Sequence, residues 1–201
     1  MNVKAEKNKK SNQYPVHPLI LNRWSPRAFR TERISDDQLN TLFEAARWAP
    51  SSMNEQPWRF IYAYKGEKEF ELILESLMEG NRVWAKNAPV LMITVIKEKF
   101  SKNDKPNKSA AHDLGLAVGN LSIQATELGI GLHQMAGFSA EKAKQLLDIP
   151  EGYSAFTAIA LGFYGSPEQL TGTLKERELA TRKRKEISEF TFHGKFSFEK
   201  E

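Results

Sequence analysis

The sequence of 201 residues predicts one domain that mixes helices with strands, the strands being separated by helices and not joined in hairpins. Three observations support this prediction. Several segments repeat apolar residues at helical spacing, short aromatic and β-branched runs lie between them, and no internal repeat or interior linker divides the chain. With 40% apolar residues the chain can build one substantial core. We therefore expect a flexible basic tail at residues 1–13 and a single domain over residues 14–201.

The clearest predicted element is a helix that follows Ser35. The Ser35 side chain can cap the first turn while Gln38 returns the bond, and Pro50 ends the apolar periodicity. The aromatic and β-branched run 58–64 then predicts a strand, which closes at a Lys-Gly turn. The same criteria predict the remaining elements as helix 67–77, strand 89–96, helix 109–128, strand 131–135, helix 140–147 and strand 155–163.

Composition excludes several kinds of chemistry. Cysteine is absent, which removes disulfides, thiolate metal sites and cysteine nucleophiles, so a redox reaction would need a borrowed cofactor. No Gly-x-Ser-x-Gly motif accompanies the scattered histidines, which argues against a hydrolase and against a metal site. We expect His112 and Asp113 to cap a helix at the surface. Trp48, Trp58 and Trp84 are expected in the core or at a dimer interface.

Hydropathy and charge narrow the expected location and partners. No apolar run is long enough for a membrane span, and the N-terminus lacks the apolar segment of a secretory signal. We therefore expect a cytoplasmic protein with no membrane partner. The formal net charge is +4, and the densest basic run lies at 182–185. Because no aromatic residues interleave that run, we expect no nucleic-acid partner, and a basic RNA-binding module is kept as an alternative.

The first of two candidate binding segments contains paired arginines. Arg23 and Arg27 flank Ser25, and Pro26 prevents a continuous helix there. A phosphate dianion needs several charge-assisted donors from different directions, and arginine supplies bidentate ones. The segment is a candidate phosphate site, and an ordinary solvated turn is the alternative.

The second candidate segment, 49–58, is a polar turn between a predicted helix and a predicted strand. Its residues Ser51, Ser52, Asn54 and Gln56 offer uncharged donors and acceptors, which suit the carbonyl and imide edge of a flavin or a nucleobase. The alternative is a connector bracketed by two prolines, in which these side chains cap backbone groups.

Together the two segments resemble the nitroreductase family, because Arg-x-Ser-x-Arg is followed, after one helix, by Ala-Pro-Ser-Ser-x-Asn-x-Gln-Pro-Trp. The resemblance continues through Gly137-Phe138 and the basic run 182–185, and it covers most of the chain outside the first dozen residues. It implies an α+β fold with a mixed, mostly antiparallel sheet flanked by helices. It also implies a homodimer in which a C-terminal arm, from about residue 171, exchanges a strand with the partner. The arm includes an alternating apolar stretch that a lone strand cannot bury: Ile187, Phe190, Phe192, Phe196 and Phe198.

The resemblance implies FMN as the cofactor, held at the subunit interface by three groups of residues. Those expected at the phosphate and ribityl chain come from both ends of the chain: Arg23, Trp24, Ser25, Arg27, and either Arg182 or Arg184. Those expected beside the isoalloxazine, often of the flavin held mainly by the other subunit, come from the polar turn: Pro50, Ser51, Ser52, Asn54 and Gln56. Those expected near flavin N5 follow strand 131–135: Met135, Ala136 and Gly137, with Phe138 as a candidate substrate contact.

The activity implied by the resemblance is hydride transfer from NADH or NADPH through flavin N5 to a nitroaromatic, a quinone or a related small acceptor, in a ping-pong sequence. No catalytic side chain is expected, because the flavin performs the chemistry. The sequence departs from the family pattern at Pro26, which removes an amide that could face the phosphate, and at Ala136. A flavin-binding carrier or sensor with little turnover is the alternative from another class.

Overall fold

The computed structural model describes residues 14–196, and a four-stranded sheet with strand order β1-β2-β4-β3 lies at the centre of that part of the chain. Its strands are β1 Trp58–Tyr64, β2 Val90–Lys97, β3 Ile130–Met135 and β4 Tyr153–Phe163. All three pairings are antiparallel, which confirms the α+β class and the antiparallel character of the sheet. The predicted basic tail and Phe198 lie outside the described residues.

Helices connect the strands and cover both faces of the sheet. The helices are α1 Pro18–Asn22, α2 Asp36–Arg47, α3 Lys68–Ser76, α4 Glu79–Ala85, α5 Ala110–Glu127, α6 Ala140–Leu146 and α7 Gly172–Leu179. The four predicted helices correspond to α2, α3, α5 and α6, and the Ser35–Gln38 capping box is present at the start of α2. The sequence analysis missed α1, α4 and α7. Two of these, α1 and α7, contain no buried apolar residue and therefore show no apolar periodicity.

The sheet separates two apolar cores. One core contains Phe70 and Ile73 of α3 with Trp84 of α4, and the other contains residues of α2 and α5 such as Leu42 and Leu121. Strand β2 sends side chains into both, which explains its continuous apolar sequence. Of the three tryptophans predicted to be in the core or at an interface, Trp58 and Trp84 are buried, whereas Trp48 is 74% exposed in this chain and therefore does not belong to the core.

The segment that contains Arg23 and Arg27 packs beside β3 and the end of β4. Phe29 pairs with Tyr164 in an isolated antiparallel bridge, and the Pro26 ring lies against Gly131 of β3. A Cβ atom at Gly131 would come within 2.4 Å of Pro26 Cγ, so only glycine fits there without a shift of the segment. This contact fixes the arginine segment relative to β3.

The C-terminal arm differs from the sequence prediction. Its described part forms α7 and a 3-10 turn at Ile187–Glu189, and contains no strand as far as residue 196. The sequence analysis had placed an alternating strand in this region. Because such a strand would pair with a second chain, strand exchange across a dimer stays a prediction. Within residues 14–196 there is no helix both long and apolar enough to cross a membrane.

Candidate cofactor site

The arginine segment is held in an irregular conformation after α1 by contacts of its own. The Arg23 guanidinium donates to Ser25 Oγ at 3.3 Å. The Trp24 ring stacks on Tyr164 with centroids 5.4 Å apart and is only 8% exposed. Trp24, predicted to be a cofactor contact, therefore has its indole packed inside the protein, and any contact with a ligand would come from its backbone.

Residues from the two ends of the chain meet at this segment. Arg182 donates to the carbonyl oxygens of Leu21 and Arg23, the latter at 2.5 Å. Burial lowers the pKa of Arg23, and the neighbouring charge of Arg184 lowers this pKa further. Burial also lowers the pKa of Arg182, and the charges of Arg184 and Arg23 act in the same direction. Arg23, Arg182 and Arg184 thus form a cluster of like charge, which we call the arginine cluster.

Arg27 lies in a different electrostatic environment, beside a carboxylate that sequence reasoning missed. Its backbone N–H donates to Glu178 Oε2 at 2.8 Å, and Glu178 is only 1% exposed. Burial lowers the pKa of Arg27, whereas the Glu178 carboxylate raises it. In the sequence Glu178 is one of several charged residues of a polar helix, and no signal distinguishes it from its solvated neighbours.

His133 is a second buried residue beside the arginine segment. Its Nδ1 lies 2.9 Å from the Pro26 carbonyl oxygen and therefore carries a proton, because a carbonyl oxygen can only accept. The ring packs against Trp84 with centroids 4.6 Å apart. Burial lowers the pKa of His133 to about 4, and the charges of Arg27 and Arg23 act in the same direction. The inward-facing position of His133 on β3 was the available signal in the sequence.

The polar turn 50–56 has an unusual backbone. Met53, Asn54 and Gln56 adopt φ values of 54°, 55° and 51°, in the left-handed region that non-glycine residues rarely occupy. Local bonds hold this shape: Ser51 Oγ accepts from the Gln56 amide at 3.0 Å, and Gln56 Nε2 donates to Asn54 Oδ1 at 3.2 Å. The turn is therefore set in one conformation before any ligand binds.

Asp113 anchors the polar turn to α5. Its Oδ2 accepts from the Ser52 amide at 3.0 Å, and the residue is only 2% exposed. The sequence analysis expected Asp113 at the surface, and that expectation is wrong. A carboxylate in the first turn of a long helix can accept from a neighbouring loop as readily as from water, and this possibility was overlooked.

The turn after β3 exposes backbone donors. The Gly137 carbonyl oxygen accepts from Asn81 Nδ2 and from the Met78 amide, both at 3.0 Å. Within residues 14–196 the N–H groups of Ala136 and Gly137 donate to no acceptor. A Cβ atom at Gly137 would lie 2.6 Å from Asn81 Nδ2, so a larger residue there would displace the Asn81 side chain that donates to the Gly137 carbonyl oxygen.

Phe138, the candidate substrate contact, packs into the core and is 8% exposed. Its backbone pairs with Leu77 in an isolated bridge. We therefore do not include Phe138 in the site proposed below.

The arginine segment and the turn at Gly137 both lie along β3, whereas the polar turn lies far from the arginine cluster in one chain. Tyr164, a neighbour of Arg23, lies close to Thr126 near the end of α5. The polar turn contacts Asp113 at the other end of this helix. A rise of about 1.5 Å per residue separates Asp113 and Thr126 by about 20 Å. The structure therefore brings the phosphate candidates together and leaves the polar turn apart from them.

Comparison with solved structures assigns the fold to a class. A structure described as an oxidoreductase containing FMN matches with a TM-score of 0.90 and 38% identity, covering 96% of this chain and 98% of the other. An FMN-dependent nitroreductase of Clostridium difficile R20291 shares the fold, with a TM-score of 0.64 and 20% identity over 87% of this chain and 96% of the other. The fold is therefore that of the nitroreductases.

The chain belongs to the Nitroreductase family, whose family model matches residues 20–163. A relative from Archaeoglobus fulgidus, provisionally named as an NADH dehydrogenase/NAD(P)H nitroreductase, is 30% identical over 149 residues, which are 72% of this chain and 83% of the relative. The matched region contains the arginine segment, the polar turn and the turn after β3. The arm with Arg182 and Arg184 follows it.

Proposed function

We propose that this chain is an FMN-dependent NAD(P)H oxidoreductase, and that the arginine cluster binds the FMN phosphate. Burial lowers the pKa of Arg23 and of Arg182, the charge of Arg184 lowers both further, and a dianion bound among the three guanidinium groups would offset this repulsion. Among residues 14–196 no carboxylate forms an ion pair with Arg23 or Arg184. The charge of the cluster fits a phosphate group, and this observation carries the proposal.

The remaining roles follow from the positions along β3. Arg27 and Ser25 would hold the ribityl chain and the adjoining part of the ring, next to the phosphate. The free N–H groups of Ala136 and Gly137 would donate to the ring near N5. The backbone of this turn is held in place, because Asn81 Nδ2 and the Met78 amide both donate to the Gly137 carbonyl oxygen.

When bound, FMN would supply hydride-transfer chemistry at its N5 atom, between NADH or NADPH and a nitroaromatic, quinone or related small acceptor, in a ping-pong sequence. The chain's own residues then bind, orient and stabilise charge. Backbone amides and arginines favour negative charge on the bound ring without moving a proton. We assign no side-chain acid or base to this reaction, because the flavin itself would carry the hydride.

We also propose that the working unit is a homodimer with FMN between the subunits. The polar turn lies about 20 Å along α5 from the arginine cluster of its own chain, so a second copy would bring Pro50, Ser51, Ser52, Asn54 and Gln56 to the flavin. Trp48 precedes this turn and Met53 lies within it, and each is 74% exposed, which suits an interface. Two cavities of about 450 and 240 Å³ are lined by neither the polar turn nor Arg23, although Arg27 lines the smaller one.

An absorption spectrum of the freshly purified protein tests the cofactor directly. We expect flavin absorbance, and rapid bleaching when the anaerobic protein is mixed with NADH or NADPH in a stopped-flow instrument. A flavin that bleaches slowly or not at all would identify the carrier or sensor alternative. A colourless protein that retains RNA in a salt-sensitive manner would instead support the RNA-binding alternative.

A further inference from the structure

We propose that Glu178 and Arg182 are positioning residues that dock the C-terminal arm on the arginine segment, and that Arg23 and Arg184 are the arginines left to bind the phosphate. The inference rests on the proposed FMN function and divides the basic residues of that site between two tasks. It also gives α7 a supporting role at the cofactor site, although we expect no residue of α7 to touch the ligand.

Arg182 is occupied by the backbone of the segment that it adjoins. Its two terminal nitrogens donate to the carbonyl oxygens of Leu21 and Arg23. These carbonyls lie at the end of α1, where the last turn of a helix lacks intrahelical donors. Arg182 satisfies them in the way that basic side chains cap helix C-termini. Two arms of its guanidinium are therefore directed at protein oxygens.

Glu178 makes the second contact between the C-terminal arm and the arginine segment. Its Oε2 accepts from the Arg27 amide at 2.8 Å, and the residue is almost completely buried. A buried carboxylate is costly unless it is hydrogen-bonded and close to positive charge, and Arg27 supplies that charge. Glu178 and Arg182 thus hold the arginine segment at both ends, one at Arg27 and the other at Leu21 and Arg23.

Arg184 contrasts with Arg182. Arg184 is exposed, and its guanidinium bonds only the adjacent Lys183 carbonyl oxygen, at 2.7 Å, among residues 14–196. Within residues 14–196 the Arg23 guanidinium donates only to Ser25 Oγ. Both can turn their donors to a ligand without breaking a contact between distant parts of the chain. Docking of the arm by Glu178 and Arg182 therefore places Arg184 near Arg23.

The test compares the binding of FMN with that of riboflavin, which lacks the phosphate. Replacement of Arg184 by Ala should weaken FMN binding at least about tenfold and leave riboflavin binding unchanged, because only the phosphate contact is lost. Arg182→Ala and Glu178→Ala should weaken both ligands by similar factors, because the whole segment loses its support. Lys183→Ala removes an equal charge at an exposed neighbour and should change neither affinity.

Hydrogen exchange on the ligand-free protein supplies an independent readout. Arg182→Ala and Arg182→Lys should both accelerate amide exchange at 21–27 and 172–182, since a lysine keeps the charge but cannot bridge two carbonyls in fork geometry. Loss of FMN binding alone in Arg182→Ala, with riboflavin binding and exchange unchanged, would overturn the division of tasks. A wild-type protein that binds no flavin would refute the proposed function, while the exchange data would still decide whether the arm is docked by these residues.

Discussion

At the scale of single residues, the arginines between positions 23 and 30 differ in what compensates their charge. Arg30 pairs with Glu32 at 2.9 Å, and Arg27 lies beside the buried carboxylate of Glu178. Arg23 has another arginine as its main charged neighbour and is half-buried. A guanidinium in that environment gains most from an anionic ligand, because the ligand replaces repulsion with attraction.

Removal of the Arg23 guanidinium is therefore expected to weaken FMN binding by about 1.5–3 kcal/mol, the range for charge-assisted hydrogen bonds. Isothermal titration of the apoprotein with FMN would measure the change in Arg23→Ala. Arg30→Ala is the matched control, since it removes an arginine of the same segment whose charge is already paired. Equal affinities for the Arg23→Ala variant and the wild type would refute the phosphate role of Arg23.

His133 should make stability depend on pH. Its pKa is about 4 in the folded chain, against 6.5 for an ordinary histidine. Between these two values the unfolded chain binds a proton that the folded chain does not, so the free energy of unfolding falls as the pH is lowered from about 6.5 to about 4. The difference corresponds to at most about 3 kcal/mol.

The variant His133→Gln tests this dependence, because glutamine can donate to the Pro26 carbonyl oxygen but does not titrate. Urea unfolding of the variant and the wild type at several pH values between 4 and 7 would give the two slopes. We expect a shallower slope for the variant. The same slope in both proteins would assign the pH dependence to other groups.

At the scale of elements, the contact between the arginine segment and β3 depends on complementary shapes. Gly131 has no side chain, and the Pro26 ring occupies the space that a Cβ atom would need. Pro26, which removes an amide from the phosphate-binding segment, therefore contributes packing and a carbonyl acceptor for His133. This role explains why a proline is compatible with the segment.

Gly131→Ala should consequently destabilise the protein by about 1–3 kcal/mol, the usual cost of overpacking. The double variant Gly131→Ala/Pro26→Ala should recover part of that loss, because the smaller side chain makes room for the added methyl group. Thermal or urea unfolding measures both changes. Gly80→Ala, in an open position of α4, is the control and should be neutral or stabilising. Additive effects of the two substitutions would show that the contact is unimportant.

At the scale of the whole molecule, the C-terminal arm exposes apolar side chains that one chain does not cover. Ile187 is 41%, Phe190 59% and Phe196 73% exposed. Apolar residues that remain exposed in one chain and alternate in sequence suit pairing with a second chain. The arm also contains Arg184, so we expect dimerisation and cofactor binding both to depend on this segment, through different residues.

Deletion of all residues after Thr181 should therefore abolish dimerisation and flavin retention together. Size-exclusion chromatography with light scattering gives the mass, and absorbance gives the flavin content. The full-length variant Arg184→Ala separates the two effects, since it should lose flavin affinity while remaining a dimer. A truncated protein that is still a yellow dimer would contradict this prediction.

The sequence by itself determined the local elements and the candidate segments. The Ser35–Gln38 capping box, the helical spacing of α5 and the apolar run of β2 are patterns between close neighbours, and the structure confirms each of them. The two motifs identified the family because their residue types and spacing are visible in the chain without coordinates. Helices α1 and α7 were missed, because neither contains a buried apolar residue that would repeat at helical spacing.

Only the tertiary structure decided which polar residues support the site. Glu178 and Arg27 are 151 positions apart, and Arg182 and Arg23 are 159 apart, so no local pattern reports either contact. The burial of Asp113 depends in the same way on the polar turn, 61 positions away. Whether a charged side chain is solvated or buried is set by the elements that pack around it, and that packing is a property of the folded chain and not of neighbouring residues.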